Sequence, residues 1–287
     1  MSPRRVFIFL LLLVLVFSLL LCNEGKVENK TRSSSTPHFV LVHGYTGAAW
    51  GWYKIKALLE AFNYRATCLD LKGAGVDPSD PAKIHSFNAY NKPLIDFFAS
   101  LSNNDKVILV GHSAGGLSVT DACHRFSDKI KVAVYVAATM LKHGFMTEQD
   151  LKDGAPPFAT GLAPNRTGAT QKPECQTNHV GIYREKFGFN QDAALGSLLR
   201  RPAVPVKTIL DARFKGERAD QVRRVYIKTG CDHTLPPEQQ DAMIKRWPPS
   251  QVIVVDADHD LIGTDPLMFF GLLVKIATSV DCCESFT

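Results

Sequence analysis

The residues with the clearest chemical potential begin with a serine in a glycine-rich turn. Ser113 lies in the segment Gly111-His112-Ser113-Ala114-Gly115-Gly116, which follows an apolar run and opens a helical pattern. In a G-x-S-x-G turn between a strand and a helix, the serine oxygen is exposed, and the glycines leave room for the sharp bend. The helix N-terminus also directs backbone N–H groups toward developing negative charge. The segment therefore predicts Ser113 as a nucleophile, against the alternative of an ordinary serine in a tight turn.

A serine nucleophile needs a base, and the base needs a carboxylate that orients it. Asp232 follows the apolar run VYIKT, and His259 follows VIVVDA. Both positions fall at the carboxyl ends of predicted strands, in the chain order that a serine turn of this type requires. We therefore predict His259 as the base and Asp232 as its orienting acid. The competing groups are sequence neighbours of these two residues: Asp256, Asp258 and Asp260 near the histidine, and His233 beside the acid.

The oxyanion of an acyl-transfer intermediate needs two hydrogen-bond donors. The backbone N–H of Ala114 is one predicted donor, because it directly follows the serine. The other is the N–H of Tyr45, in the loop His43–Trp50, whose glycines allow close backbone approach to a substrate. We also expect the ring of Tyr45 to line the pocket, and His43 to be a structural residue beneath the loop.

These positions require a scaffold of alternating strands and helices, and the sequence predicts one from His38 onward. Buried strands are predicted at HFVLV, ATCLDL, KVILV, KVAVYVAA, RRVYIKT and QVIVVDA, and helices at WYKIKALLEAF, SFNAYNKPLIDFFASL (interrupted by Pro93), GGLSVTDACHRF, PPEQQDAMIKRW and PLMFFGLLVKIATSV. Such alternation predicts the α/β class, with a mostly parallel sheet and helices on both faces. Residues 141–220 lack the pattern and are too many for a simple connection, so we expect an inserted cap within a domain spanning 38–287. Inside the cap, residues 183–201 are predicted as helical and 154–168 as a loop.

The N-terminal segment differs from the rest of the chain. Arg4 and Arg5 precede an apolar run that ends at Cys22, a pattern typical of a signal peptide or an uncleaved signal anchor over residues 1–22. Residues 23–37 form a polar tether. The sequons at Asn29 and Asn165 would be N-glycosylated on a secretory route. We expect a secreted or lumenal protein, one held at the membrane if the segment is uncleaved, and a cytosolic one if the segment does not function.

Composition narrows the remaining classes. The chain has 287 residues, a formal net charge of +5 and 45% hydrophobic residues, without a clustered basic stretch. These values exclude a disordered or fibrous protein and argue against nucleic acid as a partner. Of the seven cysteines, Cys68, Cys123 and Cys231 are expected as buried free thiols. A bond from Cys175 to Cys282 or Cys283 is left open, because pairing cannot be read from spacing.

Several segments resemble the plant methylesterases of the α/β-hydrolase superfamily, a group shared with hydroxynitrile lyases and polyneuridine-aldehyde esterase. The resemblance covers about residues 38–280 and is carried by HFVLVHG, WGWYKIKALLE, LDLKGAGVDPSD, KVILVGHSAGG, RVYIKTGCDHTLPPEQQDAMIKRWPPSQV and DADHDL. It is greatest for the branch that acts on methyl indole-3-acetate. It implies the triad Ser113, Asp232 and His259, with oxyanion donors at Tyr45 and Ala114. The chain departs from the family at Tyr45, where alanine is usual, and in its apolar N-terminus, since most relatives are cytosolic and some plastidial.

The resemblance implies a serine carboxylesterase that hydrolyses methyl esters of small carboxylic acids through an acyl-enzyme on Ser113. Methyl indole-3-acetate, methyl jasmonate and methyl salicylate are examples of such substrates. Neither a metal ion nor an organic cofactor is expected, and the only partner expected is the small ester, with a homodimer left open. Because methanol is small, specificity must lie on the acyl side, where Tyr45, Phe145 and Phe158 are expected to supply an aromatic wall.

Two other functions compete with esterase activity. A hydroxynitrile lyase of this group carries a lysine directly after the catalytic histidine, whereas Asp260 occupies that position here and would repel cyanide. A ligand-binding α/β-hydrolase receptor can keep a complete triad with little turnover. Multiple turnover of an ester distinguishes an esterase from a receptor.

Overall fold

The computed structural model describes residues 36–152, 195–196 and 198–284. Several predicted features lie outside these ranges: the apolar segment 1–22, nearly all of the tether, both sequons, Phe158, the loop 154–168 and most of the helix predicted over 183–201. The side chains of Cys282 and Cys283 are likewise not described.

Six parallel strands form one sheet. They are β1 (His38–Val42), β2 (Arg65–Leu69), β3 (Val107–His112), β4 (Ile130–Val136), β5 (Arg224–Thr229) and β6 (Gln251–Val255). Their spatial order is β2-β1-β3-β4-β5-β6, and every neighbouring pair is parallel. β1 lies next to the edge strand β2, and β3 to β6 follow in sequence order on the other side of β1. The predicted α/β class with a parallel sheet is confirmed.

Helices connect these strands. They are α1 (Tyr53–Ala61), α2 (Phe87–Ser100), α3 (Gly115–Arg125), α4 (Glu148–Lys152), α5 (Val206–Leu210), α6 (Pro237–Arg246), α7 (Leu261–Thr264) and α8 (Pro266–Glu284), with 3₁₀ turns at Ala49–Trp52, Pro81–Lys83, Ser127–Lys129 and Arg218–Gln221. Across the ranges that the structure describes, no helix is both long enough and apolar enough to cross a membrane. Between residues 141 and 221, those ranges contain the short helices α4 and α5, the last 3₁₀ turn, and helical residues at 195–196 and 198–199, which lie within the helix predicted over 183–201.

The core consists of two layers because side chains alternate across each strand. Val40 and Val42 of β1 join one apolar cluster, in which α2 and α3 contribute Leu94 and Leu117. The intervening Leu41 joins the other cluster, to which α1 and α8 contribute side chains such as Ile55, Leu59, Phe269 and Leu273. Helices therefore cover both faces of the sheet, as the uninterrupted apolar strands predict.

The last strand departs from that pattern. Val252 and Val254 of β6 are 40% and 63% exposed, whereas Val255 is buried. β6 lies at the edge of the sheet, so only one of its faces receives full cover. The apolar run in QVIVV therefore indicates a strand but does not reveal its edge position.

Two local predictions need correction. Helix α2 continues through Pro93 without a break, because its buried residues Tyr90, Leu94 and Phe98 keep it packed against the sheet. Cys231 is disulfide-bonded and half-buried instead of a buried free thiol. Cys68 and Cys123 are free, and burial raises the pKa of the Cys123 thiol to about 12.

Candidate active site

The Ser113 turn, residues 111–116, joins β3 to α3 at the carboxyl edge of the sheet. Ser113 has a φ of 54°, a left-handed conformation that is rare for residues other than glycine. Its N–H donates to the carbonyl of Val136, and its own carbonyl accepts from Thr139. A Cβ on Gly115 would lie 2.5 Å from the carbonyl oxygen of His43, so only glycine fits there. The strained backbone is thus fixed by hydrogen bonds and by close packing of main chain against main chain.

The side chain of Ser113 meets His259. The Ser113 Oγ lies 2.9 Å from Nε2 of His259, and Nδ1 of the same ring lies 2.7 Å from Oδ2 of Asp232. A carboxylate can only accept, so Nδ1 carries the proton and Nε2 of the neutral ring is free to accept from the serine hydroxyl. The three predicted residues therefore form one continuous hydrogen-bonded chain.

The Asp232 carboxylate is 2% exposed and is held by several donors. Its Oδ1 accepts from the backbone N–H groups of Thr234 and Leu235, at 2.8 and 2.7 Å. Its Oδ2 accepts from the Thr229 hydroxyl at 2.9 Å as well as from His259. These donors fix the orientation of the buried carboxylate beside the imidazole.

Behind Asp232, a buried glutamine completes the support. Gln240 of α6 donates from Nε2 to the Thr229 hydroxyl and to the carbonyl of Leu235, at 3.0 and 2.7 Å, and its Oε1 accepts from the Thr229 N–H. The hydroxyl of Thr229 is thereby oriented toward Asp232. Neither Thr229 nor Gln240 was predicted from the sequence, because an isolated threonine or glutamine carries no motif of its own.

His112 is a further neighbour of the site that sequence reasoning did not single out. Its Nε2 donates to the backbone carbonyl of His259 at 2.8 Å, and the two rings lie 4.8 Å apart. Burial and then the nearby His259 lower the pKa of His112 to about 3, so its ring is neutral near pH 7. The residue before the serine therefore anchors the loop that carries the histidine.

The loop after β1 lies directly against the serine. His43 is buried, donates from Nδ1 to the carbonyl of Gly44 at 2.8 Å and accepts from the N–H of Leu71 at 3.1 Å. Both ring nitrogens are thus occupied by backbone groups, as expected of a structural residue. Gly44 is packed so closely that a Cβ there would lie 2.8 Å from the Cβ of Ser113. The backbone of this loop can therefore reach a group bound at the serine oxygen.

The predicted oxyanion donors lie on the two sides of that contact. Tyr45 follows Gly44, and Ala114 follows Ser113 at the start of α3. Within the described residues, neither of these backbone N–H groups has a hydrogen-bond acceptor. The aromatic side chain of Tyr45 is half-buried, and its hydroxyl donates to the carbonyl of Val204 at 2.8 Å.

The other sequence candidates are placed differently. Phe145 is 39% exposed and contacts the Arg213 guanidinium at 5.1 Å, and it is not part of the cavity beside Tyr45, as far as the described residues define its lining. Asp256 and His233 are exposed, and Asp258 accepts from the Thr264 hydroxyl and the N–H of Asp260. Of the candidate acids, Asp232 is the one that the structure shows hydrogen-bonded to the ring of His259. In the described part of the chain, no cluster of three or more His, Cys, Asp or Glu side chains could hold a metal ion.

A small cavity, partly open to solvent, adjoins the loop after β1. Its walls come from three segments: residues 45–50, the loop 72–75 after β2, and residues 199–204 before α5. Tyr90 of α2 closes its base. Lys72, Arg200 and Arg201 are the charged side chains among its described lining residues, so we call it the cationic cavity.

Comparison with known proteins agrees with the fold. Residues 39–270 match the model of the alpha/beta hydrolase family. The chain is 44% identical to methylesterase 17 of Arabidopsis thaliana over 90% of this chain and 98% of that protein. It is 36% identical to pheophorbidase of Raphanus sativus, over 84% and 94% of the two chains. The crystal structure of the methylesterase MES16 from Arabidopsis superposes with a TM-score of 0.66 at 33% identity, over 85% of this chain and 99% of that one.

A six-stranded parallel sheet with a serine turn after β3 defines an α/β hydrolase, and the family match agrees with that class. The relatives reported above are named as methylesterases and a pheophorbidase, and they match this chain over 84–90% of its length. The chain belongs to the plant methylesterase family and is a carboxylic ester hydrolase.

Proposed function

We propose that this protein is a serine esterase that hydrolyses methyl esters of small carboxylic acids, with Ser113, His259 and Asp232 as its catalytic triad. The observation that carries the proposal is the hydrogen-bonded chain from the Ser113 hydroxyl through His259 to Asp232. This arrangement provides a nucleophile, a base in the correct tautomer and a buried carboxylate that stabilises the imidazolium.

In the first half of the reaction, the Ser113 oxygen attacks the ester carbonyl while Nε2 of His259 takes the hydroxyl proton. The tetrahedral intermediate collapses, its bond to the methoxy oxygen breaks, and His259 returns the proton to release methanol. An acyl-enzyme on Ser113 remains. Water then attacks this ester with His259 as base, and collapse of the second intermediate releases the acid and restores the serine.

The developing oxyanion is stabilised by the backbone N–H groups of Tyr45 and Ala114. Support comes from their positions in the two segments that meet at Ser113, namely the loop after β1 and the Ser113 turn. Within the described residues, these two N–H groups have no other acceptor. The N-terminus of the eleven-residue helix α3 adds a favourable dipole at the same point. Such preorganised donors are worth roughly 10²–10³ in rate each.

The small methyl leaving group places substrate selection on the acyl side. Small aromatic or aliphatic acids, including those of plant hormone methyl esters such as methyl indole-3-acetate, are the proposed acyl groups. The relatives carry the name methylesterase, which supports the methyl ester as the bond that is cleaved. Of the predicted pocket residues that the structure describes, Tyr45 is the one next to the loop position that packs against Ser113.

The test is methanol release by the purified protein from a panel of aromatic and aliphatic methyl esters. Multiple turnovers are expected, because a triad with an open oxyanion site regenerates the free serine. Rapid quenching followed by mass spectrometry should find the acyl group on the peptide that contains Ser113. Stalling after one turnover would instead support a ligand-binding receptor.

Ser113→Ala is the decisive variant for this mechanism. It removes the nucleophilic hydroxyl, and the methyl group of alanine needs no hydrogen-bond partner in the turn. Methanol release should fall by about 10³-fold or more, and the mass shift should disappear. Retention of wild-type turnover would show that another residue is the nucleophile.

We also infer entry into the secretory pathway. The apolar segment 1–22 and the two sequons support this location, and the disulfide state of Cys231 is favoured in oxidising compartments. N-terminal sequencing of secreted protein should find a new terminus near Asn23. Recovery of an intact Met1 or Ser2 terminus from membranes would indicate an anchor instead.

A further inference from the structure

The cationic cavity lies beside the proposed esterase site but is not continuous with it. Among the described residues, Ser113, Ala114 and His259 do not line the cavity. The loop residue Gly44 touches the serine, and its neighbour Tyr45 lines the cavity. In the loop after β1, Gly44 therefore lies against the nucleophile, while the next residue, Tyr45, lines the cationic cavity.

Tyr45 forms the boundary between these two spaces. Its ring packs against the apolar cluster that contains Ala114 and Val204, and its other side faces the cavity. Its hydroxyl donates to the Val204 carbonyl across 159 positions of sequence. We call this side chain and its hydrogen bond the Tyr45–Val204 bridge.

The far wall of the cavity is held in place by Arg201. Its guanidinium donates to the carbonyls of Gly75, Asp77 and Ser79, which fixes residues 199–204 against the loop after β2. The hydrogen bonds of the Arg201 guanidinium thus hold one side of the cavity, and the Tyr45–Val204 bridge holds the other.

The charge of the cavity is positive and partly uncompensated. Within the described residues, Lys72 and Arg200 form no salt bridge, although Lys72 interacts electrostatically with Asp77. The nearby carboxylates are directed at backbone N–H groups: Asp70 accepts from Ala49 and Val76, and Asp77 accepts from Gly73 and Ser79. A carboxylate that entered this space would meet Lys72 and Arg200, and no acid is among the described lining residues.

We propose that Tyr45 is a specificity-determining residue that closes the acyl side of the site against the cationic cavity. The protein then favours methyl esters of short, uncharged acids and discriminates against acids that carry a second carboxylate at the far end of the chain. The inference rests on the proposed esterase function and names the substrate class within it. Removal of the ring would join the two spaces and reverse this preference.

The experiment compares two series of methyl esters that differ only in the far end of the acyl chain. Methyl butanoate, hexanoate, octanoate and decanoate are matched with the monomethyl esters of succinic, adipic, suberic and sebacic acid. The measured quantity is the ratio of kcat/KM for each half-ester to kcat/KM for its uncharged match, at pH 7.5 where the free carboxyl is ionised. For the wild-type protein we expect this ratio below about 0.1 at every length, because an ion is excluded from an apolar pocket.

Tyr45→Ala should raise the ratio at least roughly tenfold at one or more of the longer chain lengths, since a charge-assisted contact then becomes available. Adding Lys72→Ala to this variant should remove most of the gain. Adding Lys83→Ala should preserve it, because Lys83 is an exposed cation near the same loop that does not line the cavity. The matched lysine variants separate a specific contact from a general change in surface charge.

A ratio that stays constant in Tyr45→Ala, while methyl alkanoates are still hydrolysed, would overturn the inference and leave the esterase function intact. A gain that survives Lys72→Ala would also overturn it. If Tyr45→Ala does not fold, the same comparison is made with Tyr45→Val. Equal hydrolysis of both series by the wild-type protein is sufficient to reject the proposed role of Tyr45 in substrate selection. If the wild-type protein hydrolyses neither series nor any other methyl ester, the proposed function itself fails.

Discussion

The Ser113 turn and the Tyr45–Val204 bridge flank the same loop, yet they are fixed by different parts of the chain. In the turn, main chain packs on main chain: Gly115 lies against His43, and Gly44 lies against Ser113. In the bridge, one tyrosine hydroxyl reaches one carbonyl oxygen. The turn cannot accept a larger side chain at its glycines, whereas the bridge depends on the identity of a single residue.

This contrast indicates that catalytic rate and substrate preference depend on different parts of the site. The position of the serine follows from sheet topology and glycine packing, so proteins with the same strand order can share the same chemistry. The boundary of the acyl site follows from a side chain that can change without moving the sheet. Substitutions in and around the triad should therefore affect rate or stability strongly, and substitutions at the bridge should affect substrate preference.

The largest effect on rate, after loss of the serine itself, is expected for Asp232→Asn. The amide would no longer hold His259 in the tautomer that accepts from Ser113, and kcat should fall by roughly 10³–10⁴-fold. Steady-state methanol release measures the loss, and circular dichroism checks that the fold is kept. Asp256→Asn is the matched control, because this exposed carboxylate lies three positions before His259 and should change kcat less than about twofold. The reverse order of the two effects would assign the acid role to Asp256.

The packing of the Ser113 turn can be tested with one glycine at a time. In Gly115→Ala, the new Cβ would lie 2.5 Å from the His43 carbonyl oxygen and 2.9 Å from that of Val42, both of them backbone atoms. The free energy of unfolding should fall by roughly 2–4 kcal/mol in urea titrations. Gly271→Ala in helix α8 provides the contrast, because nothing lies within 4 Å of its Cβ position. That variant should be more stable by up to about 1 kcal/mol, owing to the helix preference of alanine.

Substitution of His112 is expected to have a smaller effect than substitutions in the Ser113 turn and a larger one than substitution at the Tyr45–Val204 bridge. Its folded pKa of about 3 lies below the value near 6.5 of an unfolded chain, so the unfolded state binds more protons between these pH values. The stability that this neutral histidine contributes is present above pH 6.5 and is lost as the pH falls toward 3. In His112→Gln and His112→Phe, the free energy of unfolding should therefore decrease less steeply over that range than in the wild-type protein.

The same pair of variants tests the hydrogen bond from His112 to the His259 carbonyl. Glutamine keeps a donor that can reach this oxygen, and phenylalanine keeps a ring without a donor. We expect kcat to fall by about tenfold in His112→Phe and by less than threefold in His112→Gln, with little change in KM. Equal kcat values in the two variants would remove the positioning role and leave only the effect on stability.

Much of the catalytic side could be predicted from the sequence because each signal is local. The glycines around Ser113, the apolar run before them and the strand ends before Asp232 and His259 can all be read within short windows. Chain order then selects Asp232 over the acids that flank His259. The parallel sheet follows from the same apolar runs, although the exposed edge at β6 does not.

The remaining features depend on contacts between distant parts of the chain. The bond from His112 to His259 spans 147 positions, and the one from Tyr45 to Val204 spans 159. No pattern within either segment indicates its partner. Phe145 is predicted at the pocket because it is aromatic, and in the structure it is 39% exposed and lies against the Arg213 guanidinium.

The smallest effect is expected for Tyr45→Phe, and it sharpens the contrast most directly. The variant keeps the ring between Ser113 and the cationic cavity and removes only the hydroxyl that donates to Val204. One lost hydrogen bond of this kind should lower the free energy of unfolding by about 1 kcal/mol, since the Val204 carbonyl loses its partner. The preference between half-esters and methyl alkanoates should change less than about threefold, because the ring still closes the acyl side. A large change in this substrate preference in Tyr45→Phe would mean that the hydrogen bond to Val204, and not the ring, determines which esters are accepted.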